Sequence, residues 1–138
     1  ITVGYTHYFP QEREFTQKEW THITAAVKTL LTNRDDVAGG DGEGEPQIDD
    51  VFISFNGKDE EGCETLEISR KLNTQYNFCK TQNGAYDPYV VATLCICEHY
   101  APGALKISSD GNVGEWEEGR QLASKILKVT CDVPEGVR

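Results

Sequence analysis

Three side chains break the apolar pattern of the segments that carry them, and they are the first candidates for chemistry. His7 alternates with Val3, Tyr5 and Phe9, Glu64 with Leu66 and Ile68, and Lys80 with Tyr76 and Phe78. An ionisable group on a face that should be apolar is costly unless it is paired. Two arrangements meet that cost. Either the three form one polar cluster, with Glu64 bonded to Lys80 or His7, or each lies at a strand end and reaches water. A paired His7 and Glu64 would be equipped to move protons on a substrate held between them. Tyr5, Tyr8, Asn56 and Asp110 complete a candidate ligand-binding set, because aromatic rings stack on flat ligands and a few polar groups fix their orientation. Asn56-Gly57 is also ordinary turn chemistry. Asp110-Gly111, between a strand and a helix, could offer backbone N–H groups to an anion, although no Walker lysine or G-x-G-x-x-G accompanies it.

Other chemistries find little support. The five cysteines (Cys63, Cys79, Cys95, Cys97, Cys131) are odd in number and contain no C-x-x-C pair. Reduced thiols in a cytoplasm are therefore expected. Cys95-x-Cys97 has the wrong spacing for zinc, and on a helix its side chains point to opposite faces. Asp41-Gly42-Glu43-Gly44-Glu45 lacks the register of a calcium loop. No metal and no cofactor is expected. Lys80 could lower the pKa of Cys79, but neighbours on a strand point to opposite faces. His22-Ile23-Thr24 resembles half of a paired phosphoesterase motif and occurs once. With 13 basic against 23 acidic residues and a net charge of −10, direct nucleic-acid binding is disfavoured. The longest uncharged apolar run, Tyr89–Cys97, is about half the length of a membrane span. No basic stretch and apolar core open the chain, so no secretory signal is expected.

The length of 138 residues suits one domain, with residues 35–50 as a flexible acidic loop. The first strand covers 1–9. A helix follows over 16–32, opened by a Thr16-x-x-Glu19 capping box and a Phe15/Trp20 staple. Residues 51–55, 63–69 and 76–81 read as strands of an antiparallel meander. Asp87-Pro88 opens a helix over 88–100, with aspartate as its cap. That helix is apolar almost all round, which makes it central, and its β-branched content leaves a strand as the alternative. A strand at 104–108 and a helix over 113–128, capped by Asn112 and Glu115, complete the order β-α-β-β-β-α-β-α. The expected fold is α+β, a single sheet of about five strands with helices packed on it.

The segments Gly4-Tyr5-Thr6-His7-Tyr8-Phe9, Phe55-Asn56-Gly57, Glu64-Thr65, Phe78-Cys79-Lys80-Thr81, Tyr86-Asp87, Ser109-Asp110-Gly111 and Trp116 occur in that order. The series resembles an uncharacterised family of small proteins encoded by bacteriophages and bacteria. The resemblance implies a phage–host setting, in the cytoplasm of a bacterial host, and no particular reaction. Before Tyr86 this chain has Gln82-Asn83-Gly84-Ala85 where the family is basic with a proline, which counts against anion binding by that turn. Three functions are consistent with these features. One is a non-enzymatic accessory protein that binds a small polar, nucleotide-like ligand. A second is a small acid–base enzyme using His7 and Glu64. The third is an acidic inhibitor whose 35–50 loop docks on a basic host protein.

Overall fold

The computed structural model describes residues 4–75 and 77–138. Val3 and Tyr76, expected on the first strand and at the start of the 76–81 strand, lie outside the described residues. The fold is α+β: among the described residues three α-helices accompany antiparallel strands. In chain order these are β1 (Thr6–Tyr8), α1 (Gln17–Leu31), β2 (Val37–Ala38), β3 (Gln47–Ile48), β4 (Phe52–Gly57), β5 (Leu66–Ser69), β6 (Phe78–Lys80), α2 (Asp87–Tyr100), β7 (Ser108–Ser109) and α3 (Glu117–Leu127).

Among the described residues the strands form two sheets where one was expected. The first has the order β6-β1-β7; in the second, β4 is the hub that pairs with β2, β3 and β5. The meander therefore stops after β5. Among the described residues only Glu64 bridges β5 and β6 at Lys80, its N–H donating to the Lys80 carbonyl at 2.9 Å and its Oε1 accepting the Lys80 N–H at 2.7 Å, where a ladder would use a backbone carbonyl. The other edge of β6 pairs with β1, in the register Thr6↔Lys80, His7↔Cys79, Tyr8↔Phe78.

Helix α1 starts as its sequence dictates. Thr16 accepts from the Glu19 N–H, Glu19 accepts from the Thr16 N–H, and the Phe15 and Trp20 rings lie 5.3 Å apart. Thr16→Ala is expected to cost about 1 kcal/mol in chemical denaturation through the lost cap. Arg13, hydrogen-bonded to Glu19, is the main cause holding that carboxyl down at about 2. A carboxylate with a depressed folded-state pKa adds stability above its unfolded pKa, near 4.3, and the gain fades as pH falls towards the folded value. Glu19→Gln should therefore flatten the acid limb of stability below about pH 4. The effect should be small, because the Arg13 side chain is 42% exposed.

Helix α2 is the central element, buried from Val90 through Cys97 and packed against both α1 and α3. Asp87 is its first residue and not its cap; the cap position belongs to Tyr86, and the Asp87 carboxylate is used elsewhere. The last strand is shorter and later than expected, with Leu105 making only an isolated bridge to Gln11. Asn112 and Glu115 do exchange reciprocal bonds, each backbone N–H donating to the other's side-chain oxygen, but around a turn that precedes α3.

The acidic segment is built into the second sheet and is not a free loop. Val37-Ala38 and Gln47-Ile48 pair with opposite halves of β4. Gly39 donates to Glu43 and Gly44, and Asp59 donates to Gly42. Gly42 sits at φ +87°, a conformation that a side chain would strain. Asn56-Gly57 likewise ends β4 and makes no hairpin turn: Gly57 passes so close to the Glu61 carbonyl that a Cβ there would lie 2.6 Å from it.

Candidate functional site

β1 runs antiparallel to both β6 and β7, so the start of β1 and the ends of the other two strands meet at one end of the sheet. Alternation then sorts the side chains between two faces. Towards the core lie Tyr5, His7, Cys79, Thr81 and Ser109. On the outer face one cross-strand row holds Phe78, Tyr8 and Ser108. The next row holds Lys80 and Thr6, extended by Asp110, whose N–H donates to the Thr6 carbonyl while its carboxylate accepts the Thr6 N–H at 3.0 Å.

The inner row centres on His7, which is fully buried, as are Asp87 and Thr81. His7 Nε2 lies 2.6 Å from Asp87 Oδ1, and His7 Nδ1 lies 2.7 Å from Ser109 Oγ. The Thr81 hydroxyl donates to the same Asp87 oxygen at 2.6 Å. Ser109 Oγ accepts the Gly111 N–H at 2.8 Å and the Trp116 indole N–H at 3.0 Å. Those two bonds occupy both hydroxyl lone pairs, so the Ser109 proton points to Nδ1 and the ring is the Nε2–H tautomer. Tyr5 and Trp116 meet the imidazole edge-on, each at 5.3 Å between centroids.

Aspartate, histidine and serine in a line resemble a hydrolytic triad, but two features oppose nucleophilic catalysis here. A nucleophile needs a free lone pair, and Ser109 has none. A general base needs access to its substrate, and both His7 nitrogens are committed within the core. The line of bonds instead ties β1, β6, β7, α2 and the turn before α3 together.

Of the sequence-derived candidates, Tyr5, His7, Lys80 and Asp110 gather at this end of the sheet, on two different faces. Tyr8 stands on the outer face, one row along. Lys80 extends over Gly4, where a Cβ would lie 3.3 Å from its Cε. Glu64 is half-buried and bonds the Lys80 backbone, and no ion pair joins it to Lys80 or His7 among the described residues. Asn56 uses its amide internally, accepting from Gly57 and Cys63 and donating to the Cys63 carbonyl at 3.0 Å. Tyr86 links the two regions by donating from its hydroxyl to the Glu64 carbonyl at 2.6 Å. The Tyr5 hydroxyl is packed against Gly111 and has no hydrogen-bond partner among the described residues. Burial, with Asp87, Glu115 and Asp110 nearby, pushes its pKa up.

Ser109, Thr81 and Trp116 were not singled out as site residues from the sequence. A histidine on a core-facing position demands partners, which was the available signal for them. The parity of β6 is opposite to expectation. Cys79 and Thr81 face inward, while Phe78 and Lys80 face out, because the small thiol and hydroxyl fit beneath His7 and against Asp87.

Fold and site thus define a small α+β protein with a buried histidine-centred network beneath an open aromatic and charged sheet face. No family model matches the chain, and neither curated proteins nor solved structures yield a similar one. Among the described residues no helix is long and apolar enough to cross a membrane, and no cluster of potential ligands is arranged to hold a metal ion.

Proposed function

We propose that this chain is a non-enzymatic accessory protein that binds a small, flat, polar ligand on the outer face of the β6-β1-β7 sheet. One observation carries the reading: Tyr8 and Phe78 are direct cross-strand partners, 41% and 45% exposed, with Lys80 and Asp110 in the adjoining row. Exposed aromatic rings side by side offer a stacking floor, and a cation and a carboxylate at the two sheet edges select polar groups on the ligand. The buried network below holds the backbone of this face in place without taking part in a reaction. A nucleotide-like ligand, in the phage–host setting implied by the resemblance, fits a floor of this kind, since every base has a face to stack.

The test is calorimetric titration with a panel of mono-, di- and cyclic nucleotides. Phe78→Ala and Lys80→Ala should each weaken binding about tenfold or more while moving the unfolding midpoint far less, since Phe78 is exposed and Lys80 half-buried with no ion-pair partner among the described residues. The proposal fails if no member of the panel binds, or if the variants bind as well as the parent.

A second reading draws on the acidic end. Asp35, Asp36, Asp41, Glu43, Glu45, Asp59, Glu60 and Glu61 are all exposed, on backbone pinned to β4. A fixed array of like charge suits a basic protein partner better than a mobile loop would, because less ordering entropy is lost on docking. Steep salt dependence of a host-protein interaction, abolished by charge reversal at Asp59–Glu61, would favour this reading.

A further inference from the structure

The pairing of β1 with β7 continues past both strands in the same register. The Lys106 N–H donates to the Pro10 carbonyl at 2.9 Å, and the Glu12 N–H to the Ala104 carbonyl at 2.8 Å. Ile107 and Ser109 therefore face the core, while Lys106, Ser108 and Asp110 take successive positions on the outer face. An ammonium, a hydroxyl and a carboxylate thus follow one another over about 13 Å of an edge strand, beside the Tyr8 and Phe78 rings.

The two ends of this series differ. Asp110 is fixed by its bond to the Thr6 N–H. Lys106 is exposed and has no ion-pair partner among the described residues. It stands at a cavity of about 750 Å³ that Pro10, Ser108 and Arg138 also line. The chain that follows Pro134 forms another wall of that cavity. Val137 anchors this stretch in the core, and Gly136 lies so close to the Ile107 carbonyl that a side chain would not fit. Glu12, Glu98 and Glu135 share the cavity, with Glu98 accepting the Gly103 N–H at 2.8 Å.

We infer that the ligand of the outer face is a ribonucleoside 5′-monophosphate, lying with its sugar over Ser108, its 2′- and 3′-hydroxyls on Asp110 and its phosphate at Lys106. This placement rests on the stacking reading above and gives the ligand a direction. A base stacked on Phe78 and Tyr8 brings its sugar to β7, the next strand across, about 5 Å away. A ribose carries its hydroxyl pair and its 5′-phosphate on opposite sides. The strand offers a carboxylate to accept from the first and a cation to pair with the second. The reverse placement would set phosphate against carboxylate. Lys80, across the sheet from Asp110, is left for the polar edge of the base. Length is limited too, because further phosphates would enter a cavity that sets three carboxylates against Lys106 and Arg138.

Calorimetric titration of the common ribonucleosides with their 5′-monophosphates, 3′-monophosphates and 5′-triphosphates tests the direction. The 5′-monophosphate should bind about tenfold or more tighter than its nucleoside. The 3′ isomer, alike in charge, should gain nothing, and the triphosphate should bind no tighter than the monophosphate. Lys106→Gln should abolish the gain from the 5′-phosphate and leave nucleoside affinity unchanged. Its side chain is exposed, so the fold is not at stake. Equal binding of the two isomers, tighter binding of the triphosphate, or a gain that survives Lys106→Gln would each overturn the inference and leave the stacking reading standing. If nucleosides and nucleotides alike fail to bind, the stacking reading falls and the placement falls with it.

Discussion

His7→Ala is expected to remove about 3–5 kcal/mol of stability, the range for breaking a buried polar pair from one side. Among the described residues, the substitution leaves the Asp87 carboxylate with the Thr81 hydroxyl alone and the Ser109 proton without an acceptor. Single domains are stable by about 5–15 kcal/mol, so the loss is a large share of the total. Urea denaturation reads it directly. A double-mutant cycle with Asp87→Ala separates the causes, because removing the stranded carboxylate as well should recover part of the loss. If His7→Ala cost less than about 1 kcal/mol, as a surface change would, the network would not be the tie that the distances indicate.

Gly119→Ala is expected to destabilise the protein by about 1–3 kcal/mol, although alanine is the better helix former by about 1 kcal/mol. Gly119 is buried in α3 where that helix crosses α2. A Cβ there would lie 2.4 Å from Val91 Cγ1 and 2.8 Å from the Pro88 carbonyl oxygen. A carbonyl in the first turn of α2 has no rotamer with which to yield, so the helices must separate or tilt. Asp87 begins the same turn, so the shift should also loosen its hold on His7. Thermal unfolding of the variant checks the sign: a rise in Tm would mean that the crossing is slack and that propensity wins.

Local signals of this chain read correctly where the physics is local. The Thr16/Glu19 box and the Phe15/Trp20 staple place the start of α1 to the residue, since every partner is within five positions. The uniform apolarity of residues 90–97 marks α2 as central, and the α+β class follows from the alternation of periods. The pairing of strands two or three residues long carries no such signal. β6 meets Glu64 on one edge and β1 on the other, and the carboxylate that takes the Lys80 N–H comes from a residue 16 positions away. The faces of β6 differ from the sequence expectation for a related reason. Alternation shows that Phe78 and Lys80 share a side, and only the packing of Cys79 under His7 shows that this side is the outer one. The His7–Asp87 and His7–Ser109 bonds span 80 and 102 positions, and a sequence pattern records the need for a buried histidine's partners without naming them. The acidic segment makes the same point from the opposite direction. Its composition reads as solvated loop, yet Val37-Ala38 and Gln47-Ile48 pair with β4 while Gly39 folds the turn between them tightly onto Glu43 and Glu45, and proximity in three dimensions turns a loop into sheet.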